Sequence, residues 1–115
     1  MIHAFDLAPD GTVKNRRVLV TYPMGRGADG ITVDAEGNVY AAVAPLPGAE
    51  GHHGAYVYSP SGEELEYIPT PEGAANVEFG RGDESNVLYV TATTSLYRIR
   101  LKKTGYHLRE SQGDQ

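Results

Sequence analysis

Three sets of side chains in this 115-residue sequence have the type and spacing for chemistry: the pair Asp29-Gly30, the amide of Asn76, and the adjacent imidazoles His52 and His53. A carboxylate at the start of a strand can hold a hard cation through oxygen, or orient and deprotonate a water. Asp-Gly also suits a tight turn, because Asp tolerates left-handed dihedrals and Gly supplies a positive φ. On the residues alone both readings of Asp29-Gly30 stay open. Neighbouring imidazoles can ligate transition metals or shuttle protons, but consecutive side chains rarely point the same way and no third ligand is near in sequence. A role for His52 and His53 therefore reduces to contacting a substrate from a loop.

Other chemistry is excluded or explained more simply. There is no Cys and no G-x-S-x-G elbow, so covalent acyl transfer has no candidate nucleophile. Gly25 to Gly30 satisfies G-x-G-x-x-G, yet that fingerprint works by aiming a helix at pyrophosphate, and here a strand pattern follows. Arg81-Gly82-Asp83 lies between two strand patterns and reads as a hairpin connection. The run Asp34-Ala35-Glu36-Gly37-Asn38 lacks the spaced oxygen donors and closing Glu of a calcium loop, and also reads as a hairpin.

Fifteen Asp and Glu against ten Lys and Arg leave a net charge of −5, which repels nucleic-acid phosphates. Five of the cations (Arg98, Arg100, Lys102, Lys103 and Arg109) fall near the C-terminus. The first three alternate with Tyr97, Ile99 and Leu101, the pattern of a strand with one wet face. No apolar run approaches the ~20 residues of a membrane helix, and no export signal follows Met1. The expected compartment is the cytoplasm.

The elements that must position these residues are strands. Short runs rich in Val, Ile, Tyr and Thr recur between Gly, Pro, Asn and Asp clusters. They predict ten strands near 2–7, 17–22, 30–34, 38–42, 55–59, 65–68, 76–79, 87–91, 96–101 and 106–108. The strands also repeat. Ile31-Thr32-Val33 then Asn38-Val39-Tyr40 resembles Val77-Glu78-Phe79 then Asn86-Val87-Leu88-Tyr89, and Tyr56-Val57-Tyr58 resembles Tyr97-Arg98-Ile99 and His3-Ala4-Phe5. Offsets of 41 to 53 residues, with four short strands per unit, are the signature of propeller blades. The count is third and fourth strands, then a full set of four, then first, second, third and a provisional fourth: about two and a half blades. A closed propeller needs at least four. Two blade faces are therefore expected to lie uncovered, and both are expected to be apolar. Residues 1–104 are read as propeller segment and 105–115 as a polar tail.

The order Ile2-His3-Ala4-Phe5-Asp6, Pro9-Asp10-Gly11, Asp29 to Tyr40, Val57-Tyr58-Ser59-Pro60-Ser61-Gly62, Ala75-Asn76-Val77-Glu78-Phe79-Gly80, and Leu88 to Ala92 with Thr94 to Ile99 resembles the C-terminal part of the senescence marker protein/gluconolactonase family. The resemblance implies an all-β fold, a partial six-bladed β-propeller. It further implies hydrolysis of sugar lactones or related esters with a divalent cation, calcium being the expected ion, at the mouth of the central channel. The family holds that metal with a Glu of the first blade, an Asn of a middle blade and the Asp of an Asp-Gly pair opening an innermost strand. Only the last maps here, onto Asp29, as metal ligand and candidate base; counterparts of the other two would lie before Met1. Asn76 opens the next innermost strand, in register with Gly30, and is a secondary candidate with His52 and His53. The resemblance thus predicts a small lactone or ester as ligand and, as partners, either further copies of the chain or the remaining blades of a longer one. The rival expectation is a non-catalytic binding or assembly module on the same scaffold.

Overall fold

The computed structural model describes residues 1–22, 27–45 and 52–107, and among them nine strands form three antiparallel sheets. The first sheet pairs β1 (Ile2–Leu7) with β2 (Val13–Val20). The second has the order β3 (Ala28–Val33), β4 (Val39–Val43), β5 (Gly54–Tyr58), β6 (Glu64–Pro69). The third has β7 (Ala74–Phe79), β8 (Val87–Ala92), β9 (Leu96–Arg100). Two, four and three strands match the blade count read from the repeats.

Period-two alternation explains how the sheets stack. Tyr40 and Ala42 of β4, with Ala55 and Val57 of β5, face the third sheet and pack on Ala74, Val77, Phe79, Leu88 and Val90. Their neighbours Ala41, Val43, Tyr56 and Tyr58 face the other way, against Ile2 and Val20 of the first sheet. Every residue of β5 is therefore buried, and the two central strands of the middle sheet are covered on both sides. The Tyr40 and Phe79 rings meet edge to face with centroids 5.0 Å apart, a favoured aromatic geometry.

The two outer faces differ from each other. By alternation from Ile2, the free face of the first sheet carries Phe5, Leu7, Val13 and Val18, which are 46%, 73%, 57% and 52% exposed. This is the apolar surface the repeats predict. The free face of the third sheet instead carries the cross-strand pairs Tyr89–Arg98, Thr91–Leu96 and Val87–Arg100. Expected to be apolar, it is largely polar: Tyr89 donates to Glu84, Arg98 lies 3.8 Å from Glu84, and Arg100 donates to Asn86 at 2.6 Å.

Two strand expectations need correction. The second strand begins at Val13 and ends at Val20, not at 17–22, because the polar run Lys14 to Arg17 pairs with β1 at an exposed edge. Asn15 takes a left-handed φ of 57° there, where the register shifts, and its amide donates to Asp6 at 2.8 Å. The tenth strand is not formed by Tyr106 and His107; Leu108 lies outside the described residues. Instead, after β9 the chain turns back as a strap across the second and third sheets. Leu101 donates to Asn86 O, Gly105 to Ser85 O and Tyr106 to Val33 O, while Thr104 O accepts from Ala35. Gly105 lies against Phe79, where an added Cβ would sit 2.2 Å from the Phe79 Cβ.

One buried carboxylate fixes the β3–β4 hairpin. Asp34 is 2% exposed and accepts four hydrogen bonds of 2.9 to 3.0 Å, from Glu36 N, Asn38 N, Asn38 Nδ2 and Tyr40 Oη. Burial pushes its pKa up, but these donors outweigh that and hold it below the usual carboxylate range. The Tyr40 hydroxyl shifts upward, first through burial and then through its bond to Asp34. Since the folded pKa of Asp34 is depressed, its contribution is present above the unfolded value and is lost as pH falls through the folded one. Tyr40→Phe removes one donor and is expected to cost about 1–3 kcal/mol in urea unfolding at neutral pH. Its acid unfolding, followed by circular dichroism, should begin at a higher pH than in the parent.

Candidate functional site

The innermost strands β3 and β7 lie side by side, and both are bulged at equivalent places. In β3 the register shifts between Ala28 and Ile31, so Asp29 and Gly30 together oppose one residue of β4. In β7 it shifts between Ala74 and Asn76, leaving Ala75 as the extra residue. A bulge re-aims a side chain out of the regular pleat. Asp29 is exposed there, and the equivalent position in the next blade is Ala75, also exposed. One blade thus offers a carboxylate where its neighbour offers a methyl group.

Gly30 lets the two strands approach. An added Cβ would lie 1.9 Å from Asn76 Oδ1 and 2.9 Å from Asn76 Cα. Asn76 Oδ1 accepts a hydrogen bond from Val77 N at 2.9 Å, so the amide oxygen is engaged by its own strand beside Gly30. Two residues further along, Thr32 Oγ1 donates to Glu78 Oε1 at 2.9 Å, and the same oxygen accepts from Phe79 N at 2.9 Å. This Thr32–Glu78 bridge ties the innermost strands together and was not singled out from the sequence. Its signal was available, because aligning Ile31-Thr32-Val33 with Val77-Glu78-Phe79 pairs these two residues.

His52 and His53 do not join this group. They precede β5 at the end of the sheet where Ala28 pairs with Val43 and Val43 with Gly54, two strands from β3 and so about 10 Å across. His53 Nδ1 lies 3.1 Å from Thr70 O, and its carbonyl accepts from Tyr67 Oη at 2.7 Å. The His52 carbonyl accepts from Tyr56 Oη at 3.0 Å, and its ring lies 6.2 Å from that of Tyr67. The tyrosines of β5 and β6 thus hold both histidines by their carbonyls, and the His52 ring by a ring contact. The structure therefore brings Asp29, Gly30 and Asn76 together and leaves the histidines apart. Among the described residues no cluster of three or more His, Cys, Asp or Glu could hold a metal ion. Asp29 fits as one oxygen ligand of a hard cation, and the described residues beside it do not supply a full coordination set.

The profile of the SMP-30/gluconolactonase/LRE-like region matches residues 1–94. The chain belongs to this family. A structural-genomics crystal structure provisionally assigned as a gluconolactonase is similar at 30% identity and a TM-score of 0.74, over 92% of this chain and 33% of that one. A Xanthomonas campestris gluconolactonase, described as important in glucose secondary metabolic pathways, is similar at 27% identity and a TM-score of 0.66, over 90% and 30%. The chain spans about a third of the length of each. It is an all-β segment of a six-bladed propeller fold, and its three sheets are blades or parts of blades. Members of this family often use divalent metals.

The contact at Gly30 yields a test of the geometry. Gly30→Ala forces Asn76 and the backbone of β7 aside, and is expected to destabilise the fold by about 1–3 kcal/mol. Chemical denaturation checks this, with Gly27→Ala, where an added Cβ meets nothing within 4 Å, as the control.

Proposed function

We propose that this chain is part of a propeller that hydrolyses a sugar lactone or related ester, with Asp29 as its contribution to the reacting centre. The observation that carries this reading is the bulge at the start of β3, which leaves the Asp29 carboxylate exposed at the innermost strand. In a propeller the innermost strands run along the axis, so side chains at their starts converge from every blade. Membership of a family named for gluconolactonases supports this reaction class.

Lactone hydrolysis adds water to the acyl carbon and breaks the ring carbon–oxygen bond, so one proton must leave the water and one must reach the departing alkoxide. Asp29 is suited to orient the water and accept its proton. A divalent cation, with calcium the expected ion, would supply Lewis-acid polarisation of the carbonyl. Calcium takes six to eight oxygens, so Asp29 would be one ligand among waters and residues of the remaining blades. Asn76 and Gly30 hold β7 close to β3 at this point, and the Thr32–Glu78 bridge fixes the strands behind it. The remaining blades would come from a longer polypeptide, which the unlike outer faces of the first and third sheets favour over further copies of this chain.

Hydrolysis of gluconolactone, followed with and without chelator, tests the reading together with calorimetric calcium titration. The expected result is cation-dependent turnover that falls at least ~10²-fold in Asp29→Asn, with an unchanged unfolding midpoint. Turnover indifferent to chelator and to Asp29→Asn removes Asp29 from the mechanism. Absence of both turnover and calcium binding favours the non-catalytic binding or assembly module, a reading to which the methyl group of Ala75 at the equivalent bulge lends support.

A further inference from the structure

We propose that the inner edge of β7 recognises the hydroxyl groups of a neutral polyol, with Glu78 Oε2 as acceptor and Asn76 Nδ2 as donor. This rests on the reading of the chain as part of a propeller that acts on a sugar lactone, and it names what on this segment selects the sugar. β7 is the first strand of its sheet, and the Gly80 amide just beyond it donates to Val87 O. Antiparallel bonds alternate along a strand, so the amides of Val77 and Phe79 point away from β8, toward the open side of β7. In a propeller that side borders the axial channel, and it stays uncovered when the ring is complete.

Each of these two amides is capped by the side chain before it. Val77 N donates to Asn76 Oδ1 and Phe79 N to Glu78 Oε1, both at 2.9 Å, and Thr32 Oγ1 adds a second bond to Glu78 Oε1 at 2.9 Å. One end of each side chain is thereby fixed while the other is open. Among the described residues neither Asn76 Nδ2 nor Glu78 Oε2 makes a hydrogen bond or ion pair, and both residues are exposed. A carboxylate oxygen only accepts and an amide nitrogen only donates, whereas a hydroxyl satisfies either. The two groups stand two residues apart on one strand, about 7 Å, so a ligand that meets both must carry hydroxyls on several carbons. β3 offers no counterpart: the positions aligned with Asn76 and Glu78 are Gly30 and Thr32, and the Thr32 hydroxyl already donates to Glu78. The charge of Glu78 adds a preference of sign, because an acid sugar with the same hydroxyls meets a like charge.

The test titrates the isotope-labelled chain, without added cation, with D-glucitol and with D-gluconate, a neutral and an anionic polyol, and reads affinity from amide shifts in NMR spectra. Glucitol should shift the amides of Val77 and Phe79 and the side-chain amide of Asn76, and should bind at least about fivefold more tightly than gluconate. Glu78→Gln keeps Oε1 for Phe79 N and Thr32 but removes the charge, and should bring the two probes within about twofold of each other. Glu66→Gln, the same change of net charge on the exposed part of β6, should leave their ratio as in the parent. Glu78→Ala should weaken glucitol at least about fivefold. Equal affinity of the parent for both probes, an unchanged ratio in Glu78→Gln, unchanged glucitol affinity in Glu78→Ala, or glucitol shifts absent from residues 76–79 would each overturn the proposal. Neither probe is a lactone, so this outcome is separate from that of Asp29. Turnover that depends on Asp29 alongside no glucitol binding sinks the hydroxyl contacts alone, and glucitol binding without turnover keeps them on a non-catalytic module.

Discussion

A sheet that is apolar on both faces has to be covered on both faces, and the rest of this structure depends on that requirement. β4 and β5 are short, yet nearly all of their side chains are buried, because alternate residues enter two separate cores. The division of size between those residues is systematic. Alanines 41, 42 and 55 are fully buried and let neighbouring sheets approach, while Tyr40, Tyr56 and Tyr58 fill the wider spaces and find oxygen partners for their hydroxyls. Buried tyrosines need such partners. This is how a chain without Trp and with only two Phe builds two aromatic interfaces.

The same constraint sets the position of the candidate site. Because the sheets stack face to face, their first strands meet at one edge, and β3 touches β7 closely enough that only Gly fits at position 30. A bulge at that edge is then the cheapest way to turn one side chain away from the stack without disturbing the core below. Asp34 does a different job with the same functional group. It lies at the far end of β3, buried and saturated with donors. One exposed carboxylate and one buried carboxylate, five residues apart, thus differ by environment alone: Asp34 is tied into the hairpin, and Asp29 is left free to face outward.

Much of this was legible in the sequence where the signal was alternation. β1 was read with its observed limits, and the two-four-three division followed from aligning Ile31-Thr32-Val33 with Val77-Glu78-Phe79. What could not be read depended on partners distant in the chain. The bulges at Asp29 and Ala75 are properties of strand pairing, and the residues themselves do not announce them. The start of β2 was hidden because Lys14 to Arg17 form a polar run at an exposed edge, stabilised by Asp6 from the preceding strand. The strap was hidden for a third reason. It docks through backbone hydrogen bonds and the bare Cα of Gly105, which leave no trace in a side-chain pattern, and its side-chain contacts, Lys103 to Glu36 and His107 to Gly80 O, reach partners distant in the chain. The sequence marks Asp34 as a hairpin residue, but its burial depends on Tyr40 facing the core shared with the third sheet.

The two uncovered faces are not interchangeable, and this bears on how a ring is completed. Stacking identical copies head to tail would lay Phe5, Leu7, Val13 and Val18 of one copy over Arg98 and Arg100 of the next. Guanidinium groups would then lose water without gaining carboxylates, a cost that apolar contact area does not readily offset. Within the chain the matching interfaces are built otherwise. The face of the middle sheet equivalent to the Arg98 face places Val57 and Ala42 where the third sheet has Arg98 and Thr91, and it packs tightly. A blade that covers the third sheet must therefore bring acidic or hydrogen-bonding groups of its own, whereas a blade that covers the first sheet needs an apolar surface. The two ends call for different neighbours, which a set of distinct blades supplies and a head-to-tail ring of one repeated segment does not.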